Sequence, residues 1–155
     1  MRHQSFLRRL FQRGRTFTPL AWLSVVLCSA CATPVAEAPA LALTGTPWVL
    51  VSLGGQPVDP DVQPATLVME TGTQRMYGHA GCNRMSGEYS RDNDSLAFSR
   101  LVTTKMACAK GMAQEQQFLQ ALAATQGHRV EAGRLVLLND AGQPVATLMA
   151  EPSVG

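Results

Sequence analysis

The chain is 155 residues long, with 13 basic and 11 acidic side chains, a formal net charge of +2 and 46% hydrophobic residues. The basic excess is local: residues 1–30 carry five arginines (Arg2, Arg8, Arg9, Arg13, Arg15) and no acid, so residues 31–155 hold eight basic against eleven acidic groups, net −3. No lysine–arginine cluster remains there to track phosphates or to grip an anionic bilayer, which argues against nucleic-acid binding and polybasic membrane attachment.

The first predicted element is an export signal. After the arginines comes the short apolar run Leu20-Ala21-Trp22-Leu23-Ser24-Val25-Val26-Leu27. It is too short for a stable spanning helix and is followed by small residues. Ser29-Ala30 in front of Cys31 resembles a lipobox, in which the cysteine thiol is diacylated and becomes the mature N-terminus, although Cys28 stands where that motif usually has leucine. Plain cleavage after Ala30 is the alternative. Arg8-Arg9-Leu10-Phe11 looks like part of a twin-arginine signal, but Leu7 replaces the usual Ser or Thr, and general secretory export is the expectation. Residues 1–30 are thus read as a lipoprotein-type signal peptide, 31–43 as an Ala/Pro-rich tether, 44–150 as one folded domain and 151–155 as a C-terminal tail. Ala32 is not the aspartate that marks inner-membrane retention. In a Gram-negative host the expected location is therefore the outer membrane, lipid-anchored, with the domain facing the periplasm.

Through the domain the hydrophobic period is mostly two. Trp48–Leu53 reads as a strand closed by Gly54-Gly55, and Leu67–Met69 as a strand closed by Glu70-Thr71-Gly72. Arg75–Cys82 and Gly87–Arg91 read as two strands around a turn at Asn83–Ser86. Asp92-Asn93-Asp94 is a hairpin tip and Leu96–Phe98 the returning strand. Arg134–Leu138, the turn at 139–142 and Val145–Met149 make a last hairpin. Turn signals at this cadence predict an antiparallel meander. One segment differs: Gly111–Gln126 is rich in good helix formers, and Phe118, Leu119 and Leu122 share one face. Gly127 then reads as its C-terminal cap. One helix between two groups of strands makes an α+β domain.

The residues Gly45-Thr46-Pro47-Trp48-Val49-Leu50, the run Gly78-His79-Ala80-Gly81-Cys82-Asn83-Arg84-Met85-Ser86-Gly87-Glu88-Tyr89, then Thr103–Cys108 and Glu115–Leu119 closely resemble the META domain (HslJ-like) family. The resemblance covers about residues 44–150. It implies a strongly bent antiparallel, barrel-like β-sheet, of about eight strands here, with one packed α-helix. It also implies an envelope lipoprotein linked to envelope stress and heat-shock responses, and brings no agreed catalytic residues.

Cys82 and Cys108 are the cysteines expected to remain beside a lipidated Cys31. In an oxidising envelope an even pair reads as a disulfide, closing a loop of 26 residues. His79-x-x-Cys82 with Cys108 offers the alternative of a metal site, which lacks a completing second pair. The Cys82–Glu88 run supports two readings. It is a structural corner, with glycines at tight bends, or Asn83, Arg84, Ser86 and Glu88 form a polar rim that binds a partner. Asp59, Asp61, Asp92 and Asp94 are turn formers, and His128 sits just past the helix. No nucleophile–base pair, hydrolase elbow or phosphate loop is present in the sequence. The expectation is a monomeric, non-catalytic protein without cofactor or metal, acting on an unidentified envelope protein. An inhibitor of a cell-wall or proteolytic enzyme is the alternative, and a small-molecule carrier a further one.

Overall fold

The computed structural model describes residues 41–151. The expected signal peptide, Cys31, residues 32–40 of the expected tether and residues 152–155 of the expected tail lie outside the described residues.

The strands follow one another as β1 (Trp48–Leu53), β2 (Gln56–Pro57), β3 (Thr66–Met69), β4 (Arg75–His79), β5 (Arg84–Asp92) and β6 (Ser95–Thr103). Helix α1 (Met112–Ala124) comes next, then β7 (Gly127–Glu131), β8 (Arg134–Leu138) and β9 (Pro144–Ala150). All pairings are antiparallel, and β9 returns to β1, so eight of the nine strands close a hydrogen-bonded ring. The ninth, β2, pairs with Ser52 and Leu53 of β1, beyond the point where β3 leaves that strand at Trp48 and Val49. The α+β reading holds, with a nine-stranded sheet and one helix packed against it.

Alternation places the core. Leu67 and Met69 of β3, Met76 of β4, Met85 and Tyr89 of β5, Leu96 and Phe98 of β6, Leu135 and Leu137 of β8, and Ala146 and Leu148 of β9 all turn inward and are buried. Trp48 anchors the start of the ring, its indole N–H donating to the Leu43 carbonyl at 3.0 Å. The ring is thinnest between β6 and β7, where the only paired residues are Ser95 and Gly127. There α1 closes the core, burying Phe118, Ala121 and Leu122. Each such large side chain contributes roughly 1.5–3 kcal/mol by leaving water.

Four boundaries differ from the sequence-based expectation. The turn after β4 lies at Ala80–Asn83, and Arg84 already belongs to β5. The strand after the Asn93 tip runs on to Thr103, because a bulge at Arg100 (φ 53°) resets its alternation. Helix α1 ends at Thr125, whose hydroxyl donates to the Ala121 carbonyl at 2.8 Å, so Gly127 is not its cap. Gly127 instead opens β7, a strand with one aliphatic side chain, Val130, and hence little period to detect.

Candidate functional site

The Cys82–Glu88 run and the loop between β6 and α1 meet at one end of β4, β5 and β6. Gly78 permits the approach of β3: a Cβ there would stand 1.9 Å from the Thr66 carbonyl oxygen. Gly81 sits at φ +113°, a conformation that side chains strongly disfavour, and turns the chain toward α1. Cys82 and Cys108 are joined by a disulfide, with their Cα atoms 5.9 Å apart. That bond takes both thiolates from the His79-x-x-Cys82 pattern, and His79 Nδ1 already accepts the Gly81 N–H at 3.1 Å.

Beside the disulfide, Asn83 is 3% exposed and uses its whole side chain. Its Oδ1 accepts the Met106 N–H at 2.7 Å and the Thr104 hydroxyl at 2.8 Å. Its Nδ2 donates to the Met106 carbonyl at 3.3 Å and to Glu115 at 3.0 Å, and its backbone N–H donates to the same carboxylate at 2.6 Å. The amide thus reads loop 104–108 as a neighbouring strand would, while Glu115, in the first turn of α1, ties the helix to the knot. A carboxylate at a helix N-terminus is also favoured by the helix dipole. The loop leaves Met106 62% exposed at its crest.

Of the four residues predicted for a polar rim, Asn83 therefore lies inside. Arg84, Ser86 and Glu88 occupy alternate positions of β5, with Arg84 and Ser86 exposed and Glu88 half-buried. Register places further groups beside them. Tyr77 of β4 and Val102 of β6 flank Ser86, and they are 52% and 60% exposed. Arg75 lies opposite Glu88, which accepts from Arg100 Nη1 at 2.7 Å. Together with Glu70 these residues line a shallow groove of about 520 Å³, whose floor is the small pair Ser86-Gly87. An aromatic ring, an aliphatic side chain and charges of both signs on one face make a surface suited to protein contact.

Sequence reasoning missed Tyr77, Val102 and Arg100. A signal existed for Tyr77, which shares strand parity with Arg75 while Met76 faces the core. None existed for Val102, because the bulge at Arg100 inverts its parity. Of the acidic residues expected in turns, Asp59 Oδ1 accepts the Asp61 N–H at 2.9 Å and Asp61 pairs with Lys110 at 3.0 Å, whereas Asp92 is the last residue of β5. His128 lies on β7. Burial lowers its pKa, opposed by the Asp94 carbonyl 3.1 Å from Nδ1 and reinforced by Arg91. Among the described residues no group of three or more His, Cys, Asp or Glu side chains is arranged to hold a metal ion.

Comparison with known proteins gives a consistent picture. The family model described as META domain matches residues 41–152. An NMR structure of a protein from Burkholderia xenovorans is 28% identical, with 77% of this chain and 97% of that one covered and a TM-score of 0.56. A second protein solved by NMR is 25% identical over 70% of this chain and 91% of its own, again at a TM-score of 0.56. A crystal structure of a DUF4847 family protein from Bacteroides vulgatus, 12% identical with a TM-score of 0.52, covers 70% of this chain and 94% of its own and shares the fold. No curated protein gives a significant match.

Proposed function

Since this chain belongs to the META domain family, we propose that it is a non-catalytic envelope protein that holds a protein partner on the outer face of β4, β5 and β6. The observation that carries this reading is the row Tyr77–Ser86–Val102, an exposed aromatic and an exposed aliphatic side chain flanking a small residue. Exposed apolar side chains cost solubility, and the ion-paired rim of Glu88 and Arg100 with Arg75 gives a partner both orientation and selectivity. Arg84 and Ser86 extend the same face, and Asn83 serves it from beneath by fixing the end of β5.

In this reading Cys31 carries the lipid, the tether spans from the outer membrane, and the domain works in the periplasm as part of an envelope stress response. The short apolar run ending at Cys31 supports the anchor. A second reading, inhibition of a cell-wall or proteolytic enzyme, draws support from loop 104–108. The disulfide and the Asn83 amide brace that loop, and Met106 stands out from it. The carrier reading loses ground because Trp48, Leu67, Met69, Leu135, Leu148 and Phe118 occupy the interior.

Capture from solubilised envelopes with the full chain as bait tests the proposal. A partner retained by the parent chain and by Gln117→Ala, but lost with Tyr77→Ala and Val102→Ser together, is the expected result. Equal capture by all three chains would remove the face from consideration.

A further inference from the structure

A second surface lies on the other edge of β6, away from β5, and uses none of the face just described. Thr104 donates its backbone N–H to the Arg84 carbonyl at 3.1 Å, and Val102 is the partner of Ser86. By the alternation of an antiparallel ladder, Thr104 and Val102 turn their backbone groups toward β5, so Leu101 and Thr103 turn theirs away from it. On that side β7 pairs with β6 at Ser95 alone, and the Leu96 N–H reaches Gln126. Among the described residues no hydrogen bond meets the backbone of Leu101 or Thr103 on this edge.

Helix α1 runs beside this edge and forms the opposite wall of a cleft of about 820 Å³. Met112, Gln116, Leu119 and Ala123 line it along nearly the whole helix, facing Leu101 and Thr103. A 13-residue helix is about 20 Å long, the length of about six extended residues. The cleft thus combines an apolar wall with a ladder of backbone donors and acceptors, and one kind of occupant satisfies both. We infer that it accepts an extended polypeptide segment, which adds as a strand to the Leu101–Thr103 edge of β6 and lays alternate apolar side chains against Met112 and Leu119.

Two features narrow the chemistry. Glu115 is the one charged residue lining the cleft, and Asn83 already holds its carboxylate, so an acidic segment meets no cation while a neutral or basic one meets no repulsion. Met112 is 54% exposed and, as an unbranched thioether, adapts to different side chains. Recognition therefore rests on backbone hydrogen bonds and a loose apolar pattern, not on one sequence.

The test uses the full chain and an end-blocked, fluorescent peptide, Lys-Val-Thr-Val-Thr-Val-Lys, followed by anisotropy. Saturable binding is expected. N-methylation of the alternate amides that face β6 should weaken it by at least about tenfold, whereas methylation of the other set should leave it within about twofold. Met112→Ser, an exposed position that should leave folding intact, should weaken it about fivefold, and Tyr77→Ala should not change it. Absence of binding, or equal binding of the two methylated peptides, would overturn the inference. So would loss of binding with Tyr77→Ala but not Met112→Ser, or dimerisation of the chain itself through this edge. Loss with Tyr77→Ala alone would move the peptide to the β4–β6 face; the other outcomes leave that face untouched, and the capture experiment probes it separately.

Discussion

The Asn83 amide and the Met106 backbone face each other as two paired strand residues would, with Oδ1 accepting the Met106 N–H at 2.7 Å and Nδ2 donating to its carbonyl at 3.3 Å. One buried side chain thereby stands in for a missing strand and fixes the loop from β6 to α1. Asn83→Ala leaves the Met106 groups, the Thr104 hydroxyl and the Glu115 carboxylate short of a partner. It should cost about 2–4 kcal/mol, while Arg84→Ala next to it should stay within about 0.5 kcal/mol. Thermal or denaturant unfolding of the two variants checks this.

The Cys82–Cys108 bond closes 26 residues of chain, including all of β5 and β6. Chain entropy values that closure at roughly 3–4 kcal/mol. Reduction should therefore lower the melting temperature by several degrees. An unchanged melting temperature would mean that the Asn83 knot alone holds the loop.

How far could this have been read from the amino acids? Where a short apolar run is bounded by turn residues, as in Trp48–Leu53 and Arg134–Leu138, the limits of the strand are plain in the sequence. The Phe118–Leu122 stripe likewise marks the docked face of α1. The cysteine pair is legible from its even count and from the oxidising compartment that the export-signal reading implies. What was hidden depends on contacts across the chain. Asn83 reads as an ordinary turn residue because its partners, Met106 and Glu115, lie 23 and 32 residues away. The Arg100 bulge has no local marker such as glycine, so the outward turn of Val102 could not be foreseen. Gly127 followed a helix and looked like a cap, although its close neighbour is the Asp94 carbonyl, 3.4 Å from where a Cβ would lie.

Phe118 and Gln117 test the docking of the helix. Phe118 is buried in the core and Gln117 is exposed. Phe118→Ala should cost about 3–5 kcal/mol and Gln117→Ala only a few tenths. Equal effects in chemical denaturation would mean that α1 is not seated on the ring.

His128 gives the fold a modest pH dependence. Burial, the largest cause, lowers its pKa from 6.5, so the unfolded chain takes up the proton more readily than the folded one. Its contribution is complete above the unfolded value and is lost as pH falls from there through the lower folded value. The side chain is only partly buried, so the effect should be small. Stability curves of the parent chain and His128→Gln should diverge below about pH 6.5, with the parent losing more.

Lipid on Cys31 is open to direct test. Cys31→Ser should release the protein from membrane fractions and leave the signal slowly processed, and mass spectrometry of the parent N-terminal peptide should show the diacyl adduct. An unmodified peptide with unchanged fractionation would refute the anchor.

The central claim, that the β4–β6 face holds a protein partner, is tested most directly in the intact envelope. A photo-cross-linking amino acid in place of Tyr77 should yield one discrete adduct on irradiation, and the same amino acid in place of Gln117 should yield none. No adduct at Tyr77, or the same adducts from both positions, would contradict the account.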